Sequence, residues 1–297
     1  MTHSSCLFEP WLKFKTPIVR QLAFCIASPN IISSLPPELH LTFSFELHDD
    51  AFWKNCYLNY QSRLAELDVN PEPLMAFMAN IKSTRLGIRF ETLLWFWLQD
   101  NPDEKYHPYR LIKHSLQQID GAKTVGELDF LLLNTQTNQI EHWEVALKFY
   151  LAEQHYQLPF WYGLNREDTL QKKLQHFTRK QFQFTNVIGY TIQKRFAVLK
   201  GQLYLPLCQR YPIPHWVNRH RRLGRWGSKF PQQEMYHLSR HEWIAPNPLP
   251  PETAPTLWWR NDLYCNKDLT LFYMFRQPNL IYINVKCSQF KLHSVTF

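Results

Sequence analysis

Apolar positions between 17 and 26 recur at helical spacing behind Pro17, which suits a first helical turn, so the chain opens with a helix there. Asp50 reads as the N-cap of a second helix over 51–67. Between them, 41–47 alternates like a strand but reads equally well as a connector. A helix rich in Leu, Phe and Trp on nearly all sides spans 83–99 and ends before Asn101-Pro102. The pattern then turns strand-like at 109–116, at 126–134 (GELDFLLLN) and at 140–151 (IEHWEVALKFYL). The last two are joined by a polar turn, which makes a hairpin apolar enough to lie centrally in a sheet. Asn165 or Asp168 caps a basic helix running to about 184, and strands follow at 187–192 and 196–207. The order helix, three strands, helix, strand predicts an α/β protein with a mixed sheet. The chain divides into a mainly helical region at 1–80, a core at 81–207 and a basic, aromatic α+β extension at 208–297. That extension holds a proline-rich linker at 246–255 and final strands near 269–275 and 280–285.

Composition sharpens this picture by exclusion. The 297 residues are 45% hydrophobic and 15% aromatic, which supports a large core and excludes wholesale disorder. Eight glycines and no Gly-rich phosphate loop argue against a nucleotide-binding protein. No apolar run reaches the 18 or so residues of a membrane span, and the N-terminus lacks a signal-peptide core. Six scattered cysteines without a C-x-x-C pair read as buried thiols of a cytoplasmic protein. His237 and His241 stand four apart, as on a surface helix, but without the glutamate of a zinc protease.

Charge is unevenly placed. From Thr169 to Gln233 there is no acid, yet there are thirteen Lys or Arg, while the whole chain carries only +8. A basic segment on an otherwise acidic protein fits a polyanion-binding face. Lys172, Lys173, Arg179, Lys180 and Gln181 lie on the basic helix. Arg219, Arg221, Arg222 and Arg225 form a second group with His220 and Trp226.

The strands raise the chemical question. Residues two apart in a strand share a face, so Glu127 and Asp129 point together, as do Glu144, Ala146 and Lys148. Leu128, Phe130, Leu132, Val145, Leu147 and Phe149 take the opposite faces. Carboxylates in strands this apolar are costly to bury unless paired or bound to a cation. Glu91, amid Leu86, Phe90, Leu93, Leu94 and Trp95 on the preceding helix, poses the same problem; an ion pair with Arg85 or Arg89 is its simplest answer.

An acid on the first core helix, Asp on the second strand, then Glu and Lys on the third resembles the PD-(D/E)XK nuclease superfamily. More closely, RLGIRFE (85–91), GELDFLL (126–132), HWEVALKFYL (142–151) and the segment from Gly163 to Leu170 resemble a bacterial family labelled domain of unknown function eighteen fifty-three. The resemblance implies a restriction-endonuclease-like core of helix, three-stranded meander, helix and strand. It implies Mg²⁺ (or Mn²⁺) held by Asp129 and Glu144, with Glu91 orienting a water or supporting a second metal. Lys148 would position the attacking water or neutralise developing charge, and Glu127 would support Asp129. The sequence departs from the pattern at the lysine: the usual place is Ala146, and Lys148 lies roughly 6–7 Å further along the strand. The expected function is Mg²⁺-dependent cleavage of DNA or RNA, with no membrane partner. A nucleic-acid-binding protein that does not cut, or an interaction scaffold, are the alternatives.

Overall fold

The computed structural model describes residues 7–121, 123–208, 210–229, 231–248, 256 and 260–277. Four helices precede the sheet: α1 (Pro17–Ala27), α2 (Asp50–Val69), α3 (Glu72–Met78) and α4 (Leu86–Gln99). Pro17 does occupy the first turn of α1, while α2 is capped by Asp49, whose side chain accepts from Phe52 N at 2.7 Å, one residue earlier than expected. The 41–47 stretch is a connector that touches the sheet through one bridge, Glu46 to Phe196.

The sheet begins with β1 (Tyr109–Asp120), β2 (Lys123–Asn134) and β3 (Gln139–Ala152), an antiparallel meander. The β2–β3 turn includes Asn138 at φ 54°, a conformation asparagine tolerates. β4 (Trp161–Tyr162) pairs with the end of β3. Then come α5 (Leu170–Arg179), a small hairpin of β5 (Asn186–Val187) and β6 (Tyr190–Thr191), and β7 (Lys194–Pro206). β7 lies parallel to β3, pairing from Glu141–Lys194 to Leu151–Tyr204. The cap of α5 is Thr169, which accepts from Lys172 N at 3.2 Å, and not Asn165 or Asp168; both of those belong to the preceding turn, where Asp168 N donates to Asn165 O.

The described part of the extension joins the sheet rather than forming a separate layer. β8 (Gly224–Gly227), β9 (Tyr236–His237), β10 (Asp262–Cys265) and β11 (Phe272–Phe275) continue the sheet beyond β7, in the order β1-β2-β3-β7-β8-β11-β10-β9. Its described residues hold short strands and one 3₁₀ turn, Arg240–Trp243, where an α+β unit was expected. His237 accordingly sits on a strand, bonded to Asp262 at 2.9 Å. The strand expected at 280–285 and most of the proline-rich linker fall outside the described residues.

The sheet is covered on both faces, which is why β3 is buried almost throughout. On one face α1, α2 and α4 pack against Phe130, Leu132, Trp143, Val145, Leu147 and Val198. On the other, Leu170, Leu174 and Phe177 of α5 meet Ala146, Tyr150, Ala197 and Leu199. The predicted faces of β2 and β3 therefore hold, except that Leu128 joins Leu131, Ile140, Val187 and Ile192 in a further cluster. Its departure marks where β2 leaves β3. Cys25, Cys56 and Cys265 are buried, as expected of thiols in a core, but Cys208 is exposed. Among the described residues no helix is long and apolar enough to cross a membrane.

Candidate functional site

The β2–β3 ladder runs from Asn134–Gln139 to Phe130–Trp143 and stops. Beyond it β2 follows β1 and β3 follows β7, so the two strands part at Asp129 and Glu144. The carboxylates fill the fork. Asp129 Oδ2 accepts from Val145 N at 2.8 Å, and Glu144 Oε1 lies 3.4 Å from Asp129 N. Each acid thus takes up a backbone donor that the interrupted ladder would leave unpaired.

Glu144 is fully buried. Its Oε1 also accepts from His142 Nε2 at 2.7 Å, and its Oε2 from the Gln181 amide. Burial pushes the His142 pKa down to about 3, so this neighbour is a neutral donor and the contact is a hydrogen bond rather than an ion pair. His142 Nδ1 has no partner among the described residues. Burial raises the pKa of both acids; for Asp129 the charges of Glu144 and then Glu91 add to it. Among the described residues, Lys173 is the cation whose charge opposes this repulsion at both acids.

Lys173 reaches the fork because α5 buries Leu170, Leu174 and Phe177, and position 173 lies at the edge of that stripe. Its ammonium donates to Gln181 Oε1 at 2.9 Å and sits 4.0 Å from the centre of the Phe177 ring. Gln181 is held by its neighbour Phe182, which packs on Phe45 and Phe177. Burial lowers the pKa of Lys173, and Glu144 and Asp129 oppose that shift. His176 is pushed down by burial and then by Lys173, Lys180 and Lys148, so the cations of this face are close enough to feel one another.

The remaining expected residues are placed differently. Lys148 shares the sheet face of Glu144 but bonds Asp168 at 2.6 Å, and Tyr150 Oη donates to the other oxygen of Asp168 at 3.1 Å. Gly201 on β7 opposite Lys148 has φ 122°; a Cβ there would fall 1.9 Å from the Lys148 carbonyl oxygen. Glu91 approaches from α4, on the opposite layer. It accepts from His114 of β1 at 2.8 Å, and that imidazole stacks on Trp95 at 4.2 Å; its charge reaches the pair, but its side chain is engaged elsewhere. Neither Arg85 nor Arg89 takes it: Arg89 bonds Gln21 at 2.7 Å. Glu127 is exposed and accepts from Ser115. Among the described residues no three His, Cys, Asp or Glu side chains stand together as a metal-ion set.

Of the basic residues, Lys172 folds back on Glu167, while Arg179 and Lys180 are exposed on α5 and at its end. Arg221 is buried, pairs with Glu9 at 3.1 Å and donates to Gly201 O at 2.9 Å. Arg222 closes on the same glutamate, and Arg219 is exposed and bonds Ile213 O. Arg225 is half-buried on β8. Arg221 and Arg222 therefore tie the N-terminal segment to the sheet, a role their sequence spacing does not disclose. His142, Tyr150 and His114 are site neighbours not named from sequence, and Asp168 was expected only as a helix cap. The spacing of two between His142 and Glu144, and between Lys148 and Tyr150, was the available signal for two of them.

Residues 20–267 match the family described as Domain of unknown function (DUF1853), and the chain belongs to that family. No curated protein and no solved structure matches it.

Proposed function

We propose that this protein is a divalent-metal-dependent phosphodiesterase of the PD-(D/E)XK type acting on nucleic acid. The observation that carries the reading is the fork: a buried and a half-buried carboxylate where central strands part, with Lys173 facing them. Two supports stand beside it. The order α4–β1–β2–β3–α5–β7, with β7 parallel to β3, supports reading the core as restriction-endonuclease-like. The exposed Arg179 and Lys180 and the acid-free segment behind them suit a phosphate backbone.

The donor set fits Mg²⁺ or Mn²⁺. Two carboxylates are the usual protein contribution to such a site, with water and substrate phosphate as the other ligands, and a cation would relieve the repulsion that raises both pKa values. Asp129 and Glu144 would hold the ion, which when bound supplies Lewis-acid polarisation of the phosphodiester and a more acidic water. His142 fixes the orientation of Glu144 through a neutral donor. Lys173 is the cation placed to offset charge that grows on the phosphoryl oxygens. Lys148, committed to Asp168, is a structural or positioning group, and Glu91 acts on the pair through its charge.

Changing Asp129 or Glu144 to Ala should abolish Mg²⁺- or Mn²⁺-dependent cleavage of DNA and RNA, and activity that survives both changes would end the reading. The same variants should lose the thermal stabilisation that the metal ion gives the wild-type protein. Lys173→Ala should cost about 10²–10³ in turnover, as loss of a transition-state charge partner does, and Lys148→Ala distinctly less. One observation favours a second reading, nucleic-acid binding without cleavage: Lys148 is already paired with Asp168. Salt-sensitive DNA or RNA binding with neither metal stabilisation nor cleavage would select it.

A further inference from the structure

The β5–β6 hairpin turns through two residues, Ile188 at φ 42° and Gly189 at φ 86°. Positive φ at both central positions marks the tight turn that matches strand twist, and Asn, Asp or Gly normally fills the first of them. A β-branched residue there is strained. Ile188 also gains little from burial, because 54% of its surface is exposed, and Tyr190 beside it is 42% exposed. The base of the hairpin is firmly held. Val187 and Ile192 are buried with Leu128, Leu131 and Ile140, Ile192 N donates to Thr185 O, and Thr191 Oγ1 donates to Asn186. A rigid base thus presents one aliphatic and one phenolic side chain that the fold itself does not use.

The position of the hairpin supplies its context. It is anchored on Leu128, next to Asp129, and it follows directly from Gln181, which bonds Glu144. Phe184 between them lies over Gly126, where a Cβ would meet the ring at 2.7 Å. The hairpin lies within the stretch from Thr169 to Gln233 that contains no acid, and the exposed Arg179 and Lys180 precede it. A polyanion drawn to that stretch would bring its bases within reach of the hairpin tip.

We infer that Ile188 and Tyr190 form a wedge that engages unpaired bases of a single-stranded nucleic acid. This rests on the nucleic-acid part of the reading above and not on cleavage. Tyr190 supplies a ring on which a base stacks, and Ile188 an apolar edge that inserts between neighbouring bases. Duplex, whose bases are already paired and stacked, must first be unstacked before either side chain gains a contact, which favours the single strand.

The test uses the full-length protein with EDTA at low salt, and fluorescein-labelled oligo-dT, oligo-U and a DNA duplex, read by anisotropy. Ile188→Asn, Tyr190→Ala and the double variant are compared with wild type. Asparagine accepts the turn's backbone, so Ile188→Asn should keep or raise Tm, which separates a lost contact from a lost fold. The double variant should bind single strands about tenfold or more weakly and duplex as wild type does. The oligo-dT and oligo-U arms distinguish DNA from RNA as the source of the bases. The inference is overturned if the double variant binds single strands within about twofold of wild type, if it loses single strand and duplex equally, or if wild type binds none of the probes. Cleavage is scored separately. A protein that cuts nothing but loses single-strand affinity in the variants keeps the wedge and loses the phosphodiesterase reading. One that cuts, with variants binding normally, does the reverse.

Discussion

Glu144 is fully buried, and His142, Gln181 and the Asp129 amide donate to it. Burial raises its pKa and that of Asp129, and the charge of Lys173 opposes the shift at both. At the same scale, Gly201 is fixed by close approach. Its φ of 122° is open to glycine, and a Cβ would lie 1.9 Å from the Lys148 carbonyl. Gly201→Ala should therefore destabilise the protein by about 3 kcal/mol or more, through strain plus forced separation of β3 and β7. Urea unfolding checks this; a loss under about 1 kcal/mol would mean that the pairing adjusts easily.

At the scale of the element, α5 brings the sequence's basic segment to the fork, and it does so by a ten-residue helix with one side-chain cap. A helix so short owes its stability to its packed stripe and its cap. Thr169→Ala removes the acceptor of Lys172 N and should cost about 1 kcal/mol, or roughly 2 °C in Tm for a chain of this length. Because Lys173 and Gln181 ride on this helix and the turn after it, a frayed start should also weaken metal-dependent cleavage. Thr169→Asp, which retains a capping oxygen, should recover both properties, and failure to recover would point away from the cap.

For the whole molecule, imidazoles whose pKa burial lowers link stability to pH; besides His142, these include His48 and His107. His48 is stacked between Phe52 at 3.8 Å and Phe196 at 3.9 Å, and burial pushes its pKa down to about 3. His107, bonded to Trp97 O and Asn101, is pushed down to about 4, again by burial. Both native values lie below the unfolded value of about 6.5, so below that pH the unfolded chain binds more protons. The stability they represent is intact above about pH 6.5 and is lost as pH falls towards 4 and 3. Each should cost about 2 kcal/mol between pH 7 and pH 5. His48→Phe, which retains a ring in the stack, should flatten the fall of Tm over that range; an unchanged slope would show that the loss arises elsewhere.

By itself the sequence determined what depends on neighbours along the chain. The period of apolar residues set α1, α4 and the β2–β3 hairpin, and alternation set which faces Asp129, Glu144 and Lys148 take. Acids inside such apolar strands marked the site, because burial makes an unpaired charge conspicuous wherever the strand ends up. Alternation assigns a face but not a partner across space, and there the tertiary structure decided. It put Lys173 rather than Lys148 against the carboxylates, because α5 packs over the fork while the turn before α5 brings Asp168 onto Lys148. It gave Glu91 to His114, since α4 covers the other face of the sheet. It also drew Arg221 and Arg222 onto Glu9, more than two hundred residues away, and merged the aromatic tail with the sheet. Such pairings are fixed only when separate elements close on one another, and no local periodicity encodes that closure.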